Sequence, residues 1–469
     1  MNHTLLLPAA LTLTALLAAQ PIALTMESNL ATPYAPKPSG PAKAELAFYS
    51  KQTDDMLFDG SADPVIHVRA GLRCVGLKYE VRRNCFAAPF ITGSAKALPP
   101  NTFIISVPAA KLPFAGFYDI TVELDAGDGQ PPIKSTCTFG WRADQMKIKD
   151  NRPADFDQFW ANGLAELKKI PLNATVGEFQ TFTGKEIDDY NVKSAAIPGD
   201  YDPTGHKTET VESAKVEFDS AGGLRVHGWL AKPPGTGPFP AMLILPGAGF
   251  NARPRPLEHA RHGYLALDIQ VHGQEVDLEK YPTIPGYYDQ QIYNPPADNY
   301  MRRIYLNCLQ AVSYLASRPD VDPRRIVVVG GSQGGRTTVS TAALDPRVAA
   351  AVPAITHHAN VPYVTWAWAS QKTKQDGMDS ELPPTVDNDE QRCLAYYDTM
   401  NFAPTVKCPV FMNAGLIDGV SPPSGVFAVY QRLGAKDKTM IPLPGLAHDW
   451  SAEFDRRAWR WLEEKLKNR

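Results

Sequence analysis

The chain has 469 residues, 44% of them hydrophobic, with 47 Lys and Arg set against 50 Asp and Glu for a formal net charge of −3. That much apolar side chain builds a sizeable core and the length allows more than one domain, so disorder is excluded. No run of Lys and Arg offers the clustered basic face that a nucleic acid requires, and a small neutral substrate fits better.

In chain order, Met1 to Gln20 reads as a secretory signal, apolar from Leu5 to Ala19 and too short to span a membrane, ending in Ala18-Ala19-Gln20. No later segment is apolar for long enough to cross a bilayer, so no membrane contact is expected after signal removal, and the mature chain is expected to be soluble and secreted or periplasmic. Residues 21–43, rich in Pro, Ser and Ala without period, read as a linker. An exported location permits a disulfide, for which Cys74, Cys85 and Cys137 are the candidates with connectivity open. Neither a Cys-x-x-Cys nor a His-Glu-x-x-His spacing occurs, so neither a metal site nor another cofactor is expected.

Residues 44–145 carry short alternating strands: Val65 to Arg69, Leu77 to Arg82, Thr102 to Val107, Gly116 to Leu124 and Ser135 to Phe139, separated by Gly, Pro, Asn and Asp. This spacing predicts a small all-β, immunoglobulin-like sandwich, with Tyr118 and Trp141 in its core rather than on a carbohydrate-binding face.

The pattern changes at about residue 150, and a second domain is predicted over 150–469. Phe156, Phe159, Trp160, Leu164 and Leu167 have the spacing of an amphipathic helix. Ala214 to Phe218 and Leu224 to Ala231 read as a hairpin turning at Gly222-Gly223. Strands at Ala241 to Leu245, Tyr264 to Ile269, Ile326 to Val329, Val348 to Val352, Val410 to Met412 and Thr439 to Leu443 then alternate with helices. Such alternation predicts an α/β fold with a mostly parallel sheet and helices on both faces. With its own strand pattern on each side of the boundary, a piece starting near Asn151 is expected to fold alone and to keep the chemistry described next.

Gly330-Gly331-Ser332-Gln333-Gly334 follows the buried-type strand Ile326 to Val329 and precedes a helix, which is the context of a G-x-S-x-G elbow that holds a serine hydroxyl at its tip. A serine needs a base to take its proton and a carboxylate to orient that base. In hydrolases of this sheet type the acid and then the histidine follow the serine along the chain. Of ten histidines only His357, His358 and His448 do so. His448 lies in a loop between a strand and the final helix; His357 and His358 precede every suitable acid, and line the pocket instead. Asp418 ends the strand after Val410, whereas Asp437 sits in a lysine-flanked turn and reads as a solvated charge. The catalytic set is therefore Ser332, Asp418 and His448. The oxyanion donors are the N–H of Gln333 and, from the glycine-rich Pro246-Gly-Ala-Gly249 loop, that of Ala248.

From about Pro153 onward the chain resembles the acetyl xylan esterase and cephalosporin C deacetylase family, carbohydrate esterase family 7, of the α/β-hydrolase fold. The likeness rests on Val329-Gly-Gly-Ser-Gln-Gly-Gly335, Tyr397-Asp-Thr-Met-Asn-Phe-Ala-Pro404 and Gly415-Leu-Ile-Asp-Gly-Val-Ser-Pro-Pro423. It implies an esterase that removes acetyl or other short acyl groups from carbohydrate esters such as xylo-oligosaccharides, with the same Ser, Asp and His, and a homo-oligomer, the family's ring-shaped hexamer. Other acyl hydrolases of the fold (thioesterases, peptidases) and an inert carbohydrate-binding scaffold are the alternatives. The family's His-Gly-Tyr loop is here Pro246-Gly247-Ala248, its Arg-Gly-Gln is His272-Gly273-Gln274, and its His-Glu is His448-Asp449. On this basis His272, Gln274 and His357 are the expected substrate contacts, and alanine in place of tyrosine at residue 248 predicts a roomier acyl pocket.

Overall fold

The computed structural model describes residues 46–71, 74–127, 131–194, 205–284 and 295–467, so the predicted signal and linker lie outside the described residues. Among those described, no helix is long and apolar enough to cross a membrane.

The first part of the chain forms β1 (Leu46–Tyr49), β2 (Leu57–Phe58), β3 (Val65–Ala70), β4 (Gly76–Arg83), β5 (Ile91–Ala95), β6 (Thr102–Ser106), β7 (Gly116–Asp125) and β8 (Ile133–Trp141). They make two sheets, ordered β1-β3-β6 and β2-β8-β7-β4-β5. Alternation along β7 sends Ile120, Val122 and Leu124 inward, where they join Ile66, Val68, Phe103 and Ile105 of the smaller sheet in one core. Tyr118 and Trp141 are 1% and 3% exposed, core residues as expected. No disulfide joins any of the six cysteines; burial and nearby carboxylates raise the thiols of Cys85 and Cys137 instead.

The second part contributes β9 (Thr175–Val176), β10 (Gln180–Thr183), β11 (Thr210–Asp219), β12 (Arg225–Lys232), β13 (Phe239–Leu245), β14 (Leu265–Gln270), β15 (Val321–Gly331), β16 (Val348–Ala354), β17 (Val410–Gly415) and β18 (Lys438–Leu443). The sheet order is β10-β11-β12-β14-β13-β15-β16-β17-β18. Pairing is antiparallel from β10 to β14 and parallel from β14 through β13 to β18. Gly222 and Gly223, at φ 70° and 72°, make the predicted turn between β11 and β12.

Both faces of this sheet are covered. Leu243 and Val328 pack with Ile304 and Cys308 of the helix Tyr300–Ser317, whereas their neighbours Met242 and Val327 pack with Phe454 and Trp461 of the helix Ala452–Leu466. A strand buried on both faces must be apolar at every position, which is why β15 reads as a continuous run of Ile and Val. The chain winds outward in both directions from β13, and the crevice beyond the ends of β13 and β15 is where an open α/β sheet holds its ligand. The helix Val361–Thr373, apolar around much of its circumference and rich in aromatic residues, lacked a helical stripe in the sequence; it forms because other elements cover it on several sides.

Candidate active site

Ser332 stands at the crest of the turn from β15 into the helix Gln333–Leu344, at φ 58° and ψ −118°. The flanking glycines make this turn possible. A Cβ at Gly330 or Gly334 would meet the Leu245 carbonyl oxygen at 2.6 or 2.2 Å, and one at Gly335 would meet that of Ala354 at 2.5 Å. The serine backbone is held in turn, its N–H donating to Ala354 O at 3.0 Å and its carbonyl accepting from the His357 N–H at 3.2 Å.

The structure brings Ser332, His448 and Asp418 together. His448 Nε2 lies 2.9 Å from Ser332 Oγ and its Nδ1 lies 2.8 Å from Asp418 Oδ2. An ionised carboxylate only accepts, so Nδ1 carries the proton and Nε2 presents its lone pair to the hydroxyl. Asp418, 1% exposed just after β17, has its other oxygen fixed by the N–H groups of Val420 at 2.8 Å and Ser421 at 2.7 Å. Gly415 lets the histidine loop pass against the end of β17, since a Cβ there would meet Leu446 O at 2.5 Å. Asp437 is elsewhere, paired with Lys465 at 2.6 Å.

Gln333 opens the helix behind the serine, where first-turn N–H groups point along the axis toward the site. Ala248 is exposed in the loop after β13, whose Gly247 would place a Cβ 3.8 Å from Gly331 O. A cavity of about 220 Å³ opens beside this loop, but Asn251, Arg253, Gln270 and His272 give it polar walls. The space beside Ala248 thus has Pro246, Gly247, Ala248 and Gly249 on one side and polar side chains on the other.

The expected substrate contacts each make hydrogen bonds within the protein. His272 is 5% exposed, with Nδ1 2.8 Å from the Tyr300 hydroxyl and Nε2 3.2 Å from Gly249 O. Burial pushes its pKa down to about 4, so the neutral ring donates from Nε2 and ties the Pro246–Gly249 loop to the end of β14. Gln274 Nε2 donates to Pro282 O at 2.8 Å and braces its own loop. His357 does flank the triad. Its Nδ1 donates to Val420 O at 3.2 Å, and burial, with Arg336 and His448 nearby, pushes it down to about 4. Thr399 holds this segment, donating from Oγ1 to His357 O and from its N–H to His358 O. Asp398, accepting from the N–H groups of Asn360, Val361 and Met400, fixes the next turn. That is the physical work of the Tyr397–Pro404 motif.

Trp450 was not singled out from the sequence. It is 44% exposed, and its ring edge lies 3.2 Å from where a Cβ of Gly331 would stand, beside the serine. Its position two residues after His448 was the available signal. Among the described residues, the His and Glu groupings able to hold a metal ion, His206–Glu258–His262 and Glu217–His227–Glu275, contain no member of the triad.

Residues 177–465 match the family described as acetyl xylan esterase (AXE1). The chain is 28% identical over 407 residues to the acetyl esterase Axe7A of Xylanibacter ruminicola, an alignment covering 84% of this chain and 83% of that protein. Among solved structures, the acetyl xylan esterase from Paenibacillus sp. R4 superposes with a TM-score of 0.53 at 28% identity, covering 68% of this chain and 98% of that one. Acetyl xylan esterase 1 from Thermoanaerobacterium sp. JW/SL YS485 shares the fold with a TM-score of 0.52 at 23% identity, over 69% of this chain and 97% of its own.

Proposed function

Because the chain belongs to the acetyl xylan esterase family, we propose that it hydrolyses acetyl esters of carbohydrates with Ser332 as nucleophile, xylo-oligosaccharides being the substrate class. The observation that carries this reading is the unbroken line from Asp418 through His448 to Ser332 Oγ, with contacts of 2.8 and 2.9 Å on a strained elbow. Ser332 Oγ attacks the acetyl carbonyl while His448 Nε2 takes its proton, and Asp418 stabilises the imidazolium and holds its tautomer. The N–H groups of Gln333 and Ala248 receive the developing oxyanion. Collapse of the tetrahedral intermediate breaks the bond to the sugar oxygen, which leaves with the proton from His448. Water, activated by the same imidazole, then releases acetate and restores the serine.

Two groups at the mouth suit a sugar. The exposed indole of Trp450 offers an apolar face to a pyranose ring, and His357, with Nδ1 committed to Val420 O, turns an acceptor nitrogen outward for a hydroxyl. The apolar stretch Leu5 to Ala19 supports export, which would place the enzyme where xylan fragments occur.

Acetate release measured across acetylated xylan, acetylated mono- and oligosaccharides, acetyl-CoA and peptide substrates tests the reading. Turnover concentrated on the acetylated saccharides is expected. A preference for the thioester or the peptides would replace this function with another acyl transfer to water.

A further inference from the structure

The buried carboxylate of Glu258 lies at the other end of β14 from His272, in the helix Leu257–Arg261 that leads into the strand. It is 0% exposed. Its Oε1 is 2.5 Å from His206 Nε2 and 3.6 Å from His262 Nε2, and the three ligand atoms all lie within 4.8 Å of one another. Two imidazole nitrogens thus converge on one carboxylate oxygen, while the other oxygen accepts from Asn191 Nδ2 at 3.2 Å.

The surroundings fix this geometry. His262 stacks on Trp459 with ring centroids 4.5 Å apart and 21° between planes. Gly205 lets the chain bring His206 alongside, because a Cβ there would meet His262 Cε1 at 2.7 Å. The electrostatics lean the same way. One guanidinium, Arg261, is contacted by three carboxylates, Glu258, Asp188 and Glu209, so carboxylates outnumber the guanidinium around the cluster.

We propose that His206, Glu258 and His262 form a zinc-binding site, with water as the fourth ligand, that staples the segment ahead of β11 to the helix ahead of β14. Two imidazoles and a carboxylate are a donor set that zinc accepts, with bonds of about 2.0–2.2 Å. In a tetrahedron those bonds set ligand atoms about 3.3 Å apart. The His262–Glu258 pair is already close to that spacing, and His206, the partly exposed member on an irregular stretch, needs to swing outward by less than about 1 Å as zinc displaces the shared proton. The six residues of β14 span about 20 Å, which separates this site from the loops around Ser332. Its role is stabilising, and it does not depend on the esterase reading.

The test uses the full-length protein stripped with EDTA and titrated with zinc sulfate alone by calorimetry. About one zinc per chain is expected, with a higher thermal midpoint in its presence, and magnesium and calcium should not substitute because they prefer all-oxygen sites. Cobalt should give the visible absorption of a four- or five-coordinate ion. His206→Gln and His262→Gln should each weaken zinc by more than the about 10–100-fold that loss of a supporting group brings, while kcat/KM for acetate release stays within about twofold. His206→Gln, at a partly exposed position, keeps the test open should His262→Gln misfold. No saturable binding below about 1 mM zinc, or equal affinity in His206→Gln and wild type, would overturn the proposal.

Discussion

Ser332 holds its place at the elbow with a backbone conformation, φ 58° and ψ −118°, that a side chain rarely adopts. Ser332→Gly should therefore abolish turnover yet stabilise the fold by about 1 kcal/mol or more, read as a higher thermal midpoint; a lower midpoint would show that the hydroxyl supports the fold. Asp418→Asn should lower turnover about 10⁴-fold by admitting the wrong imidazole tautomer, and Asp437→Asn should change it little. The reverse ranking would place the acid elsewhere. The hydrogen-bonded grouping of Ser332, His448 and Asp418 was legible because glycine spacing, a β-branched strand and chain order each leave a mark in the sequence. For His272 and Gln274 the sequence shows which residues occupy a motif but not which acceptors their nitrogens find, here Gly249 O and Pro282 O. Trp450 escaped notice because its exposure depends on how the last loop crosses Gly331, a tertiary property.

At the scale of elements, the turn between β4 and β5 is wedged into the second part of the chain. The Arg83 guanidinium donates to the carbonyls of Gly377, Ser380 and Glu381, each at 2.6 Å, and lies over the rings of Phe86, Phe114, Tyr363 and Trp366. Asn84 Oδ1 accepts from Ser424 Oγ at 2.7 Å, at the start of the helix that follows the Asp418 loop, and Phe117 meets Phe427 with centroids 4.8 Å apart. Strand periodicity marked where the first part ends but carried no sign of this interface, because a turn of Arg, Asn, Cys and Phe has no period. The stand-alone piece expected from the sequence is thus replaced by the opposite expectation. Residues 151–469 alone should be insoluble or inactive, because the Val361–Thr373 and Pro423–Arg432 helices would lose their cover. Arg83→Ala in the full chain should lose about 3 kcal/mol, since hydrogen bonds to a charged group contribute about 1.5–3 kcal/mol each and buried carbonyls would be left without donors. A soluble, fully active piece in a solubility and acetate-release assay would show that the interface is incidental.

Across the whole molecule, buried imidazoles set the response to acid. Burial pushes His259, His272 and His357 down to about 4, and His358 well below its usual value. Unfolded, each protonates near 6.5, so as pH falls from about 6.5 to 4 the unfolded chain binds protons that the fold refuses, and stability drops. Asp398, raised to about 6 by burial, works against this, because its folded form takes a proton first and gains stability between about 6 and 3.8. Burial raises Asp119, Asp268 and Glu390 as well and lowers His67, so five imidazoles stand against four carboxyls. The imidazoles respond first, from about pH 6.5, and the thermal midpoint should decline from about pH 7 to 6, which a flat or rising profile in a calorimetric series would contradict. The overall architecture followed from alternation of strands and helices. The His206, Glu258 and His262 cluster did not, because its members are spread over 57 residues, and only the fold brings them within 4.8 Å.

Acetate release from acetylated xylo-oligosaccharides by wild type and Ser332→Ala, with the thermal midpoint of each, tests the central claim most directly. The wild type should release acetate and the variant none above background, at nearly equal midpoints, because the hydroxyl of the half-buried Ser332 adds little to the core. Comparable release by both proteins, or none by a folded wild type, would contradict Ser332 as the nucleophile of a carbohydrate acetyl esterase.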